Sequence, residues 1–294
     1  MKYLNWLVIL FFIFGSVSCA DKTDKQKNIA GDITLDKVPS QEKAVKKMFF
    51  NLPSPIELTQ TLLATESAFN PDLLNPISNV DKYNSSSDLA LNFGVYGADL
   101  CYCRVYDQLQ SSISYLSAIR KITDLLQIPE DEGAETINRI EENIENRDSI
   151  FQIIAETYAG ANGYLKENER DLTAAFILIG GWIEGMYFAV NLMDGQINQT
   201  LINNIAEQKY AIENLMSLIG EYKENPAIAE FYPHFEELAA VYSTVEISHE
   251  KSVVVTDQEA KTTTIDNEMK IIVTDKQLSD ITRLVNQIRL KIVS

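Results

Sequence analysis

Ala174-Ala175-Phe176-Ile177-Leu178-Ile179-Gly180-Gly181-Trp182-Ile183-Glu184-Gly185-Met186-Tyr187-Phe188-Ala189-Val190 is apolar apart from Glu184. Wound as a helix it has no polar face, so it predicts a helix buried on every side. Asn168-x-x-Asp171 starts that helix and Asp194-Gly195 stops it, after a run to about Met193. A helix of this kind needs others around it, and the flanking sequence supplies them.

Upstream, Ser54-Pro55-Ile56-Glu57 combines a capping serine, a first-turn proline and a capping-box glutamate. The helix it opens carries Leu58, Leu62 and Leu63 and ends by Asn70-Pro71. Residues 71–83 read as an irregular connection with a turn at Asn75-Pro76. Ser85-x-x-Asp88 opens a helix through Leu89, Phe93, Tyr96, Leu100 and Val105. Ile113, Leu116, Ile119, Ile122 and Leu126 form one stripe over a helix from about Leu109 to Leu126, which Pro129 ends. Ala134 to Glu145 reads as an acidic surface helix resting on Ile137, Ile140 and Ile144. Asn146 and Asp148 start the next, through Ile150, Ile154, Tyr158 and Tyr164.

Downstream, Asn198 to Tyr222 repeats the apolar pattern with Ile202, Ile205, Ile212, Leu215 and Ile219. Asn225-Pro226 is again cap plus first-turn proline; Pro233 is expected to break or kink that segment, which continues through Phe235, Leu238, Val241 and Val245. Thr274-x-x-Gln277 is a capping box for a terminal helix carrying Leu278, Ile281, Val285, Ile288 and Ile292. Between them, Ser252-Val253-Val254-Val255-Thr256 and Lys270-Ile271-Ile272-Val273-Thr274 are β-branched, with polar Asp257 to Asn267 between. Residues 249–273 are therefore a polar loop or hairpin. The fold class is all-α: a helical bundle or stacked helix pairs, with at most a small β-hairpin near the C-terminus.

The N-terminus has a different character. Lys2 gives a positive head, Leu4 to Phe14 is apolar except for Asn5, and Gly15-Ser16-Val17-Ser18 leads into Cys19. This is the order of an export signal with a small-residue cleavage site. The apolar run is shorter than the about 20 residues that a membrane span needs. A cysteine directly after the cleavage site resembles a bacterial lipoprotein signal, which makes residues 1–18 the signal peptide and Cys19 the acylated residue. Residues 19–44 are charged and lack apolar periodicity, so they read as a flexible tether. Residues 45–294 then form a single helical domain. Its partners would be the membrane, through the lipid, and an envelope protein or small ligand.

The formal charge of -17 argues against sequence-independent nucleic-acid binding, which rests on neutralising phosphates. There is no Gly-x-Ser-x-Gly, phosphate-cradling Gly-Lys-Ser or His-Glu-x-x-His pattern. His234 and His249 are the only histidines, so no metal site and no cofactor is expected. Cys101 and Cys103, two apart on a helix, point to different sides and do not bridge.

One pattern occurs twice. Asn92-Phe93-Gly94-Val95-Tyr96-Gly97-Ala98-Asp99-Leu100-Cys101-Tyr102 and Gly180-Gly181-Trp182-Ile183-Glu184-Gly185-Met186-Tyr187 each set a carboxylate in a small-residue helix with a tyrosine three residues on. Glycine costs a helix about 1 kcal/mol relative to alanine, so clustered glycines imply a close helix crossing. An ionised carboxylate in an apolar helix must be paired or hydrogen-bonded. Three roles follow for Asp99 and Glu184: internal partners of tyrosines, backbone groups or an arginine such as Arg104 or Arg120; a ligand cleft lined by Asp99, Tyr102, Trp182, Glu184 and Tyr187; or a glycosidase-type acid/base pair, which needs carboxyls about 5 to 9.5 Å apart.

Asn51-Leu52-Pro53-Ser54-Pro55-Ile56-Glu57, Asp72-Leu73-Leu74-Asn75-Pro76, Leu89-Ala90-Leu91-Asn92-Phe93-Gly94-Val95-Tyr96-Gly97-Ala98-Asp99-Leu100 and Ile288-Arg289-Leu290-Lys291-Ile292-Val293 together resemble a family of helical lipoproteins from Bacteroidetes. The resemblance implies an outer-membrane location and an all-helical fold, and brings no catalytic residues. The expected function is a membrane-tethered extracytoplasmic module that binds an envelope partner or small ligand without catalysis. The alternative is an envelope glycan or polymer hydrolase using Asp99 and Glu184.

Overall fold

The structure, a computed structural model, describes residues 62, 67–128, 130–156, 171–192, 198–249, 253–257, 262–266 and 269–294. The expected signal, Cys19, the tether and the Ser54-Pro55 cap lie outside the described residues. So do Asn168, Tyr158, Tyr164 and Asp194-Gly195.

Two short 3-10 turns, Pro71–Leu73 and Ile77–Lys82, come first, where an irregular connection is expected. The helices follow: α1 (Ser86–Val105), α2 (Leu109–Leu125), α3 (Glu130–Glu142), α4 (residues 147–156), α5 (Asp171–Asn191), α6 (Gln199–Glu221), α7 (Pro226–Ser243) and α8 (Asp275–Val293). The fold is an all-α bundle. Local chemistry sets its boundaries as the sequence predicts. The Ser85 hydroxyl accepts from the Asp88 amide, Asn198 from Leu201 and Asn225 from Ala227, and Thr274 and Gln277 close a reciprocal capping box.

Helix α5 sits at the centre. By length and composition Leu172–Asn191 is apolar enough to cross a membrane, yet 83% of its apolar 18-residue stretch is buried in the bundle. Its most extensive neighbour is α1, and the two run parallel. Leu91 lies opposite Gly180, Gly94 opposite Ile177 and Gly181, and the Tyr102 ring stacks on Phe188 at 4.4 Å. The crossing is tight enough for backbone to meet backbone. A methyl group added at Gly94 would lie 2.0 Å from the Ile177 carbonyl oxygen, and one added at Gly180 would lie 1.9 Å from that of Leu91. Each glycine therefore meets the carbonyl of the residue three before the other glycine. That near-symmetric exchange is the physical content of the pattern repeated in the sequence.

Helix α8 lies antiparallel to α5: Asn191 donates to Asn286 at 2.9 Å, and Glu184 pairs with Arg289. It also covers α7, with Arg283 on Glu237 and Lys291 on Glu230. Helix α6 packs on α7, where the Tyr242 hydroxyl donates to the Ile205 carbonyl.

Four local expectations need correction. Ile113 is exposed; the buried face of α2 is centred on Ser112, Tyr115, Leu116, Ile119 and Ile122, because Tyr115 reaches in to the Asn75 carbonyl. Pro233 does not break α7, which runs through it. The acidic helix α3 covers 130–142 rather than 134–145, and Asn146 caps the next helix through the Ser149 amide. The expected C-terminal hairpin is present, but the two β-branched segments are not each other's partners. Glu246–His249 (β1) pairs antiparallel with Met269–Ile272 (β4), and Val253–Asp257 (β2) with Thr262–Asp266 (β3). The polar stretch hides β3, where Thr262-Thr263-Thr264-Ile265 is polar by hydropathy but β-branched by shape.

Candidate functional site

The glycine crossing determines where the two carboxylates go. Asp99 lies five residues after Gly94 and Glu184 four after Gly180 in the parallel helix, so both reach the interior between α1 and α5. Both are fully buried.

Glu184 is held by an arginine. Arg289 of α8 donates from Nε to Oε2 and from Nη2 to Oε1, both at 3.0 Å, a bidentate pair. The same Nη2 donates to the Leu73 carbonyl at 3.2 Å. The guanidinium lies 4.4 Å over the Tyr187 ring. Burial works against the charge of Arg289, but Glu184 and Asp99 outweigh it and hold the guanidinium more firmly protonated than usual.

Asp99 faces Glu184 and the backbone amide of Asn75. Neither of its oxygens has a donor in good hydrogen-bond geometry, and as an anion it would meet a second acceptor. Burial first, and the Glu184 charge second, push its carboxyl well above the usual carboxylate range, while Arg289 and the Asn75 amide pull the other way. Burial raises the Glu184 carboxyl too, but Arg289 draws it back toward the ionised form, so the proton belongs on Asp99, which has no such cation bound to it. Asp99 then becomes a donor to Glu184, which stays ionised against Arg289. The cluster is neutral as a whole, which is the arrangement that a buried site tolerates.

These groups serve the turn at 70–76, whose Leu73, Leu74 and Asn75 are buried. Buried irregular backbone needs partners, and the interior supplies them one by one. The Asn70 amide donates to the Tyr102 hydroxyl, Arg289 takes the Leu73 carbonyl, Tyr115 takes that of Asn75 and Tyr96 that of Pro76. The Asn75 side chain donates to Tyr83 and Asn92. Asn92 in turn takes the Ile292 carbonyl at 2.8 Å, and Tyr83 that of Val293. The last turn of α8 is thereby tied to α1.

Of the five residues considered for a ligand cleft, Asp99, Glu184 and Tyr187 meet at Arg289. Tyr102 is sealed between Phe69 and Phe188. Trp182 turns to α6, donating to Gln208 at 3.0 Å. The arginines first considered as partners lie elsewhere: Arg104 faces Asp107 at 3.6 Å and Arg120 pairs with Glu141. Among the described residues the concavities include an open acidic one around Asp107 and Glu145 to Asp148, and an apolar gap too narrow for water between Leu91, Phe176, Phe231 and Phe235. Neither includes Asp99 or Glu184. Among the described residues no cluster of three or more His, Cys, Asp or Glu is placed to hold a metal.

Sequence reasoning missed Arg289 and Asn75. The first had a signal: Arg289 breaks into the apolar stripe of Val285, Ile288 and Ile292. The second reads only as a turn. No family model, no curated protein and no solved structure matches the chain.

Proposed function

We propose that the chain is a lipid-tethered module of the outer bacterial envelope that binds a partner protein or small ligand and performs no catalysis. The observation that carries the non-catalytic part is the closure of the Asp99–Glu184 contact. Two carboxyls without solvent exposure, one of them held bidentate by Arg289, give no access to a glycosidic bond, which needs substrate between carboxyls about 5 to 9.5 Å apart. Both Glu184 oxygens accept from Arg289. The tethered part is supported by the order of Lys2, the apolar run, Gly15-Ser16-Val17-Ser18 and Cys19. The acidic composition suits a soluble domain with a basic or cationic partner.

The test compares wild type with Cys19→Ser in intact cells. Mass spectrometry should find a diacylated Cys19 at the mature N-terminus, and the variant should leave the membrane fraction. Chemical crosslinking should give a discrete adduct that depends on the tether. An unmodified Cys19 thiol would refute the anchor. Glycan turnover that Asp99→Asn abolishes while stability stays unchanged would establish the hydrolase instead.

A further inference from the structure

We propose that the Asp99–Glu184 contact is a proton-binding site that latches the C-terminal end of α8 and the turn at 70–76 onto the α1–α5 core. The geometry requires a third partner between the carboxyls. Both Glu184 oxygens are committed to Arg289, and Asp99 lacks donors. Two buried carboxylates facing one another repel unless a proton neutralises one of them.

The proton acts on both elements through Arg289. With Asp99 neutral, Arg289 balances one charge, and its Nη2 also holds the Leu73 carbonyl. With Asp99 ionised, one guanidinium faces two buried anions. The other groups around the site add no positive charge. From α1 they are Tyr96, Cys101 and Cys103; from α2, Tyr115; from α5, Tyr187; and, just after the Ile77–Lys82 turn, Tyr83. Burial keeps all of them neutral, pushing the Cys101 thiol, for one, up to about 12.

The strain is relieved at the weakest attachment. The α1–α5 crossing is backbone against backbone at Gly94 and Gly180. The last turn of α8 and the 70–76 turn pack through side chains, by buried Leu73, Leu74, Ile288 and Ile292 and by hydrogen bonds from Asn92, Tyr83, Tyr115 and Arg289. Loss of the proton therefore opens these two elements together and leaves the crossing closed.

Hydrogen exchange of the full mature chain, measured against pH, tests this. After correction for intrinsic exchange, the opening constants of amides in 70–76 and 288–293 should rise about tenfold per pH unit above the ordinary aspartate range. Amides in the middle of α1 and α5 should not follow. Asp99→Asn keeps a donor toward Glu184 and should abolish the slope. Glu184→Gln, which removes the second charge and lets Asp99 ionise beside Arg289, should flatten it as well. A slope shared by every amide, a slope that survives both substitutions, or no slope in wild type would each overturn the latch.

Discussion

Alanine at Gly94, Gly180 and Gly220 should give opposite outcomes from one chemical change. At Gly180 the new methyl lies 1.9 Å from the Leu91 carbonyl oxygen, where ordinary contact begins at 3.4 Å, so α1 and α5 must part by about 1.5 Å at that point. The colliding partner is backbone, and no rotamer can move it away. Overpacking of this kind costs about 1–3 kcal/mol, occasionally more, and this site belongs at the upper end. Alanine returns about 1 kcal/mol in helix propensity. The net expectation is a loss of about 2 kcal/mol at Gly180, with Gly94 similar at 2.0 Å from the Ile177 carbonyl oxygen. At Gly220 an added methyl meets nothing within 4 Å, so the same substitution should stabilise by up to about 1 kcal/mol. Urea denaturation followed by circular dichroism reads all three. Gly94→Ala and Gly180→Ala variants as stable as Gly220→Ala would refute the backbone crossing and the site built on it.

Further outcomes follow from the same interior. Arg289→Met leaves Glu184 buried and unpaired and should cost about 3–5 kcal/mol, whereas Arg283→Met, which breaks a half-exposed pair with Glu237, should cost under about 1 kcal/mol by the same denaturation assay. Asp99 is raised in the fold, so its contribution is complete below the ordinary aspartate value and declines as pH rises toward the folded value. The stability of wild type minus that of Asp99→Asn, from urea curves at several pH values, should therefore fall by about 1.4 kcal/mol per pH unit across that window. A difference that rises with pH would contradict the assignment. Cys101 and Cys103 are buried, with thiols pushed up to about 12. They should resist a disulfide reagent at pH 8 in the native protein and react on unfolding; prompt native labelling would show that the core is open there.

The helices were legible because their signals are local. Ser85, Asn198, Asn225 and Thr274 announce their own helices through side-chain oxygens that cap the next amides, and the apolar run of α5, broken by Glu184 alone, has no polar face to turn to solvent. The glycine pairs announced a close crossing, since nothing else repays their cost in a helix. What escaped is whatever depends on distant partners. Ile113 has the right period yet lies on the outer edge of α2, because Tyr115 supplies a longer arm to the buried turn. The strand partners are set by register across the hairpin, which composition does not encode. Arg289 is 105 residues from Glu184, and no spacing rule connects them. The buried turn was unreadable for the same reason: Asn75 looks like any surface asparagine before a proline until Tyr83, Asn92 and Tyr115 close on it.

Infrared difference spectroscopy, wild type minus Asp99→Asn at neutral pH, reads the joining proton itself. A carbonyl stretch of a protonated carboxylic acid, present in wild type and lost in the variant, is the predicted result. A spectrum showing only ionised carboxylate at that position would contradict it.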